Sequence, residues 1–291
     1  MRRASMFLAA LVLGAFPAGA QEAFDSSVCA TCHEAEAVQL GKGPHAILDR
    51  EAWHPEGLAA SSCLACHGDP KAHVESGGEA AIFAFSKADA ASRKNETCLG
   101  CHGDDHAGFA NSPHAAAALD CSSCHSIHGE KTGPAMLKVP ANLPSDLAKA
   151  GTTSASCSEC HATQFHDFQF NERHRLQEGI LECSSCHNPH EKQTRLDLGG
   201  TKNLLCTTCH TDKAGPFVFE HASVKTEGCV ACHTPHGSVN RHMLKTQRVA
   251  ELCLTCHATV PSFHSRFTLD TNCNNCHQSI HGSNFDETFL K

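Results

Sequence analysis

The chain has 291 residues, of which 41% are hydrophobic and only 5% aromatic, and its formal net charge at pH 7 is −8. This acidic balance excludes a nucleic-acid-binding protein, because such proteins need basic patches that neutralise phosphates. The 20 cysteines and 24 histidines far exceed the usage of an ordinary globular protein, so these two residue types must decide what the chain does.

The N-terminus predicts a signal peptide over residues 1–20. Arg2 and Arg3 precede an apolar run over residues 6–16, and Ala-Gly-Ala then supplies the small residues that a signal peptidase accepts. The run is shorter than the about 20 apolar residues that span a bilayer, although an uncleaved N-terminal anchor is the alternative. Residues 21–291 are therefore expected to form a single exported domain in the periplasm.

Every cysteine of the chain belongs to a Cys-x-x-Cys-His motif, and the motif occurs ten times. The cysteine pairs are Cys29 and Cys32, Cys63 and Cys66, Cys98 and Cys101, Cys121 and Cys124, Cys157 and Cys160, Cys183 and Cys186, Cys206 and Cys209, Cys229 and Cys232, Cys253 and Cys256, and Cys273 and Cys276. The histidines that close the motifs are His33, His67, His102, His125, His161, His187, His210, His233, His257 and His277.

The spacing of this motif suits the covalent attachment of haem c. Cysteines three residues apart lie on one face of a helical turn, and the next histidine lies beside the second cysteine. Two thiols can then form thioethers with one porphyrin while the histidine binds the iron as the proximal ligand. Zinc sites and disulfides also use cysteine pairs, but neither requires a histidine after every second cysteine. We therefore predict ten covalently bound haem c groups.

Fourteen further histidines are candidates for a second, distal ligand on each iron. Methionine could serve at two sites at most, because residues 21–291 contain only Met136 and Met243. Most candidates follow a repeat, lying seven to nine residues before a motif or three to four residues after a motif histidine. The predicted distal ligands are His45 or His54, and then His73, His114, His128, His174, His190, His221, His236, His264 and His281. The repeat spacing alone prefers His54 to His45, and His106, His166 and His242 are expected to be ordinary polar histidines.

Two imidazoles on one iron leave no open position for a substrate. Catalytic metal sites keep such a position, so a reductase or oxidase would need an iron that is not capped on both sides. The ligand supply therefore predicts an electron carrier and not an enzyme.

The predicted fold is a multihaem cytochrome c that is mostly coil, with short α-helices and few or no strands. Ten haems leave too few residues per haem for a separate protein core, so the porphyrins would form the core. The repeated two-haem units predict an elongated, haem-packed wire. Short helices are expected over residues 89–95 and 146–150, and the segment 130–156, which is rich in proline and glycine, is expected to be a linker or surface loop.

Several segments resemble the MtrA/DmsE family of periplasmic decahaem cytochromes. Residues 214–246 contain Gly-Pro-Phe-Val-Phe-Glu-His and Thr-Pro-His-Gly-Ser-Val-Asn, residues 183–190 read Cys-Ser-Ser-Cys-His-Asn-Pro-His, and residues 276–284 end in His-Gly-Ser-Asn. The order of motifs also resembles that of the family over residues 21–291. The sequence Lys-Gly-Pro-His at 42–45 matches the family pattern, so the resemblance implies His45 as the distal ligand in preference to His54.

The resemblance implies a role in electron transfer across the outer membrane. Family members pass through a β-barrel porin and carry electrons between the periplasm and the cell exterior. A barrel lumen is polar and can hold a plug, and the hydrocarbon layer of about 30 Å is too thick for one electron hop. The implied partners are the outer-membrane porin, an outer-surface multihaem cytochrome or reductase, and periplasmic or inner-membrane redox proteins. A soluble periplasmic multihaem electron shuttle is the alternative.

Overall fold

The computed structural model describes residues 27–49, 62–128, 136–140, 142, 145–191, 203–264 and 270–290. The predicted signal peptide and His54 lie outside these residues. The contacts divide the chain into two compact units, one ending at Ile82 and the other beginning at Phe83.

Within the described ranges the chain forms short helices joined by turns and coil. The α-helices are α1 (Ser27–Ala30), α2 (Glu34–Lys42), α3 (Ser62–His67), α4 (Lys71–Glu75), α5 (Ala91–His102), α6 (Pro113–Ala116), α7 (Cys121–Cys124), α8 (Ser145–Lys149), α9 (Thr152–Ser158), α10 (Ala162–Asp167), α11 (Leu204–Thr207), α12 (Ala222–Thr226) and α13 (Val249–Leu254). The 3₁₀ segments are Pro44–Asp49, Phe109–Asn111, Cys183–Ser185, Thr211–Lys213, Cys229–Ala231, Arg241–Met243, Ser262–His264 and Cys273–Asn275. Extended structure in these ranges consists of isolated antiparallel bridges, which join His125 to Leu137, Glu172 to Ser238, Phe219 to Ser283 and His233 to Leu244. This confirms the predicted architecture of coil and short α-helices.

Many of the helices and 3₁₀ segments contain the first cysteine of one Cys-x-x-Cys-His motif, and most of them are short. Helix α5 has 12 residues and ends at the motif histidine His102. The helix predicted over residues 89–95 begins at Ala91 and continues through this motif, and the helix predicted over 146–150 is α8. From the fifth motif onward, a short α-helix carries the first cysteine of one motif and a 3₁₀ turn carries that of the next. The motifs therefore alternate between two local conformations in the C-terminal half.

The prediction of a linker over residues 130–156 is wrong for its C-terminal part. Ala150, Ser154 and Ala155 have no exposed surface, and Ala150 packs with Phe168 and Leu176 in a small apolar cluster. Glycine and small side chains permit this close approach, because a Cβ on Gly151 would lie 2.1 Å from Oε1 of Glu182. The composition of these residues is typical of a flexible loop. In the structure they pack tightly, at the contact of helices α8 and α9 with the residues of the next motif.

A buried ion pair links two segments of the unit that begins at Phe83. Nζ of Lys94 lies 3.1 Å from Oδ2 of Asp120, and the two side chains are 8% and 10% exposed. Burial would raise the pKa of Asp120, but hydrogen bonds from Ser122 and Lys94, together with the charge of Lys94, outweigh burial and hold that pKa below its ordinary value. The pair joins α5 to the residue that precedes the fourth motif.

We expect Lys94→Met to lower the free energy of unfolding of the holoprotein by about 3–5 kcal/mol, because it leaves a carboxylate buried without its partner. Denaturant unfolding monitored by circular dichroism measures this loss. The matched control is Lys71→Met, which removes an exposed contact with Glu75 at 4.0 Å and should change stability by less than about 1 kcal/mol. Equal effects of the two substitutions would contradict the prediction.

Candidate haem-binding sites

The motifs of the second unit close as single helical turns. From the fifth motif onward, the amide of each motif histidine donates to the carbonyl of the first cysteine of its motif at 2.9–3.0 Å. The amide of the second cysteine donates to the same carbonyl at 3.2 Å. Such a turn directs both thiols and the imidazole to one side, as the attachment of one porphyrin requires.

Motif histidines lie at a nearly constant ring separation from other histidines in the described residues, with interplanar angles from 11° to 72°, and such a couple of histidines is a facing pair whatever its angle. Ring centroids lie 5.9–6.4 Å apart in nine pairs. These pairs are His33 and His73, His102 and His106, His161 and His114, His125 and His190, His210 and His174, His187 and His236, His257 and His221, His233 and His281, and His277 and His264. Two metal–imidazole bonds of about 2 Å place the ring centroids roughly 6 Å apart when both rings bind one metal ion. The donor set and its spacing therefore fit an iron held between two imidazoles.

Eight of the predicted distal histidines occur in these pairs. They are His73, His114, His174, His190, His221, His236, His264 and His281. His45, His67 and His128 are not among these nine pairs, and each of them takes part in an interaction. Their assignment as ligands remains a prediction.

His106 has a position that the sequence interpretation did not give it. Its ring lies 6.2 Å from that of the motif histidine His102, with an interplanar angle of 27°. The two residues are four apart, which is the spacing that led us to predict His281 as a ligand four residues after His277. That spacing was the available signal for His106. Its ring also lies 4.1 Å from that of His190.

Burial favours the neutral form of several of the paired histidines. Burial, followed by the nearby imidazoles of His106 and His125, lowers the pKa of His190 to about 4. Burial also lowers the pKa of His221, His236 and His281. Only the neutral imidazole offers a lone pair to a metal, so this environment suits ligands.

Backbone carbonyls fix which nitrogen of a paired ring remains free. The Nδ1 contacts are His73 to Ala80 O at 2.7 Å, His114 to Pro189 O at 3.2 Å, His174 to Pro235 O at 2.6 Å, His233 to His242 O at 2.8 Å, and His277 to Thr288 O at 2.6 Å. A carbonyl can only accept, so each Nδ1 carries the proton and donates it. Nε2 is then the atom left to bind a metal, which is the usual arrangement of histidine ligands. His242 contributes its carbonyl oxygen to this arrangement.

Two antiparallel bridges bring together backbone segments that are far apart in sequence and that carry histidines. Glu172 and Ser238 exchange amide hydrogen bonds of 2.8 and 3.3 Å, which places His174 near His236. Phe219 and Ser283 make the equivalent bridge at 2.8 and 2.9 Å beside His221 and His281.

Three of the facing pairs follow a regular register in the unit that begins at Phe83. The histidines that follow the sixth, eighth and tenth motifs each face the motif histidine of the preceding even-numbered motif. These pairs are His190 with His125, His236 with His187, and His281 with His233.

Cysteines of consecutive motifs interact with one another from the third motif to the tenth. Two kinds of interaction alternate along the chain. First cysteines interact through their thiols in Cys98 and Cys121, Cys157 and Cys183, Cys206 and Cys229, and Cys253 and Cys273. Each such couple of motifs is a motif pair. Neighbouring motif pairs interact through the charges of further cysteines, which are Cys124 with Cys160, Cys186 with Cys206 and Cys209, and Cys232 with Cys256. A hydrogen bond from Cys157 lowers the pKa of the Cys183 thiol to about 6. The third to tenth motifs thus form one row without a break.

The two methionines that could have capped an iron occupy equivalent turns. Met136 and Met243 have φ values of 55° and 54°. Their carbonyls accept hydrogen bonds of 2.9 and 2.8 Å from the amides of Ser126 and Thr234, just after the fourth and eighth motifs. They therefore belong to a repeated backbone turn. In the part of the chain that the structure describes, no helix is both long and apolar enough to span a membrane.

Repeated Cys-x-x-Cys-His turns, whose histidines pair with further histidines, define a multihaem c-type cytochrome. Such a protein transfers electrons. Residues 174–215 and 221–261 match the family model of the doubled CXXCH motif, and residues 63–142 match that of the NrfB-like cytochrome c-type protein. The chain is also 35% identical over 275 residues to the multihaem cytochrome MtrA of Shewanella baltica (strain OS185), covering 88% of this chain and 78% of the relative. The chain belongs to the MtrA family of multihaem cytochromes, which confirms the resemblance seen in the sequence.

Proposed function

We propose that this chain binds ten haem c groups and carries electrons across the outer membrane, inside a β-barrel porin, between the periplasm and the cell exterior. The observation that carries the proposal is the unbroken row of the third to tenth motifs, in which cysteines of consecutive motifs interact. Bound haem c would supply a one-electron redox centre at each motif. Membership of the MtrA family supports the same function.

Three groups of residues hold each redox centre in this proposal. The ten cysteine pairs form the thioethers, and the ten motif histidines are the proximal ligands. The distal ligands that we propose are His45, His73, His114, His128, His174, His190, His221, His236, His264 and His281. Carbonyl oxygens hold Nδ1 of several of these rings, so that Nε2 stays directed to its metal. Imidazoles on both sides exclude substrate from the metal, so the protein acts as a carrier and not as an enzyme.

The partners follow from the position proposed for the chain. A porin surrounds it in the outer membrane, a periplasmic or inner-membrane redox protein exchanges electrons with it inside, and a multihaem cytochrome or reductase does so outside. Proximity of successive centres matters because the hydrocarbon layer is about 30 Å thick. The row of motifs divides that distance into short steps.

The haem count has a direct test. The intact mass of the purified exported protein should exceed that of residues 21–291 by ten haem groups. A single class of molecules with fewer haems would contradict the count. Removing one motif by Cys183→Ala with Cys186→Ala should lower the count by one.

Membrane passage is tested separately from haem binding. A tagged chain should co-purify with a β-barrel protein from outer membranes. Liposomes that hold the complex should pass electrons from an internal reduced dye to an external oxidant. Liposomes with the barrel protein alone are the control and should not. A fully haem-loaded chain that never associates with a barrel and reduces soluble acceptors in the periplasm would support the shuttle instead.

A further inference from the structure

Two asparagines hold the first cysteine of a motif to which they do not belong. Oδ1 of Asn95 accepts the amide of Cys121 at 2.9 Å and lies 3.2 Å from its sulfur. Oδ1 of Asn203 makes the same contacts with Cys229, at 2.9 Å and 3.1 Å. Each asparagine lies three residues before the first cysteine of the preceding motif, and 26 residues separate it from its target.

A serine occupies the equivalent position at the fifth motif. Ser154 is fully buried, lies three residues before Cys157, and accepts the amide of Cys183 through its hydroxyl oxygen at 3.3 Å. At the ninth motif this position is Ala250, whose methyl group cannot accept a hydrogen bond. From the third motif onward, the described residues therefore contain three polar examples and one apolar example of the same contact position.

The contact fixes a group that otherwise lacks a partner. The amide at the start of a helical turn has no acceptor within that turn, and a side-chain oxygen can supply one. The amide group of Asn203 is itself oriented, because its Nδ2 donates to the carbonyl of Val224 at 2.7 Å. Its oxygen is thereby directed to the backbone and sulfur of Cys229.

We infer that Asn95, Ser154 and Asn203 are positioning residues that set how closely the two haems of a motif pair approach each other. In each case the clamped cysteine is the one whose sulfur interacts with the first cysteine of the preceding motif. The side chain thus ties the two attachment points of a pair together through one hydrogen bond. This inference rests on the proposed haem occupancy of both motifs and adds to it the residues that govern contact within a pair.

The test compares Asn203 variants of the full holoprotein. Asn203→Ala should reduce the exciton couplet in the Soret circular dichroism that arises from closely packed haems, and it should shift the reduction potentials of one pair. Asn203→Ser should retain most of the couplet, because serine performs this role at position 154. Asn95→Ala repeats the test at the third and fourth motifs.

The matched control is Thr226→Ala. Thr226 lies three residues before Cys229, just as Asn203 lies three residues before Cys206, but its hydroxyl donates to Ala222 O at 2.8 Å within α12. It should leave the couplet unchanged. An unchanged couplet and unchanged potentials in Asn203→Ala would overturn the inference, and so would a loss in Asn203→Ser equal to that in Asn203→Ala. Haem count and low-spin electron paramagnetic resonance signals separate this outcome from failure of the proposed function, because a wild-type protein without paired haems would show no couplet at all.

Discussion

Gly237→Ala is expected to disturb two iron sites at once. A Cβ at this position would lie 2.1 Å from the carbonyl oxygen of Asp167 and 3.3 Å from that of Glu172. Both obstacles are backbone atoms, so the bridge between Glu172 and Ser238 must open. His236 then leaves its place opposite His187, and His174 loses the Pro235 carbonyl that holds it opposite His210.

The measurement is electron paramagnetic resonance of the oxidised holoprotein. New high-spin ferric signals from up to two irons should appear, because an iron that loses one imidazole becomes five-coordinate. Gly41→Ala is the matched control, since a Cβ there meets nothing within 4 Å and the residue lies inside α2. That substitution should leave the spectrum unchanged and stabilise the helix by about 0.5–1 kcal/mol. A wild-type spectrum for Gly237→Ala would contradict the expected result.

The sequence predicts the local geometry of the motifs well because short spacings determine that geometry. A cysteine, a second cysteine three residues later and the next histidine form one turn wherever they occur, so the motif needs no tertiary information. The repeat spacing selected His174 and His236 correctly as members of facing pairs. Their partners could not be read from it, since His174 faces His210 while His236 faces His187.

Pairing depends on register, which is set by contacts across long stretches of chain. The bridge between Phe219 and Ser283 joins residues 64 positions apart, and it forms because Gly282 permits a close approach. A Cβ on Gly282 would lie 2.2 Å from the ring of Phe217, and the φ of +146° at this position favours glycine. Composition also misled us at Gly151 and its neighbours, because small residues serve equally well in loops and in tight packing.

The remaining large effect concerns the histidine that follows the last motif. We expect His281→Ala to change the iron site of the eighth motif, at His233, and to leave that of the tenth motif intact. The ring of His281 faces that of His233 at 6.3 Å and 15°, whereas His277 faces His264 at 6.3 Å. Loss of this half-buried imidazole on one side should convert a single iron from low spin to high spin.

Two backgrounds identify the iron that changes. In a chain that lacks the eighth motif cysteines, through Cys229→Ala with Cys232→Ala, the substitution His281→Ala should add no high-spin signal. In a chain that lacks Cys273 and Cys276, replaced in the same way, it should still add one. His166→Ala is the matched control, because His166 packs edge-on against Phe170 at 5.8 Å and is not in a facing pair in the described residues. The opposite pattern, with the signal lost only when the tenth motif is absent, would show that His281 serves the iron of the tenth motif and would contradict the prediction.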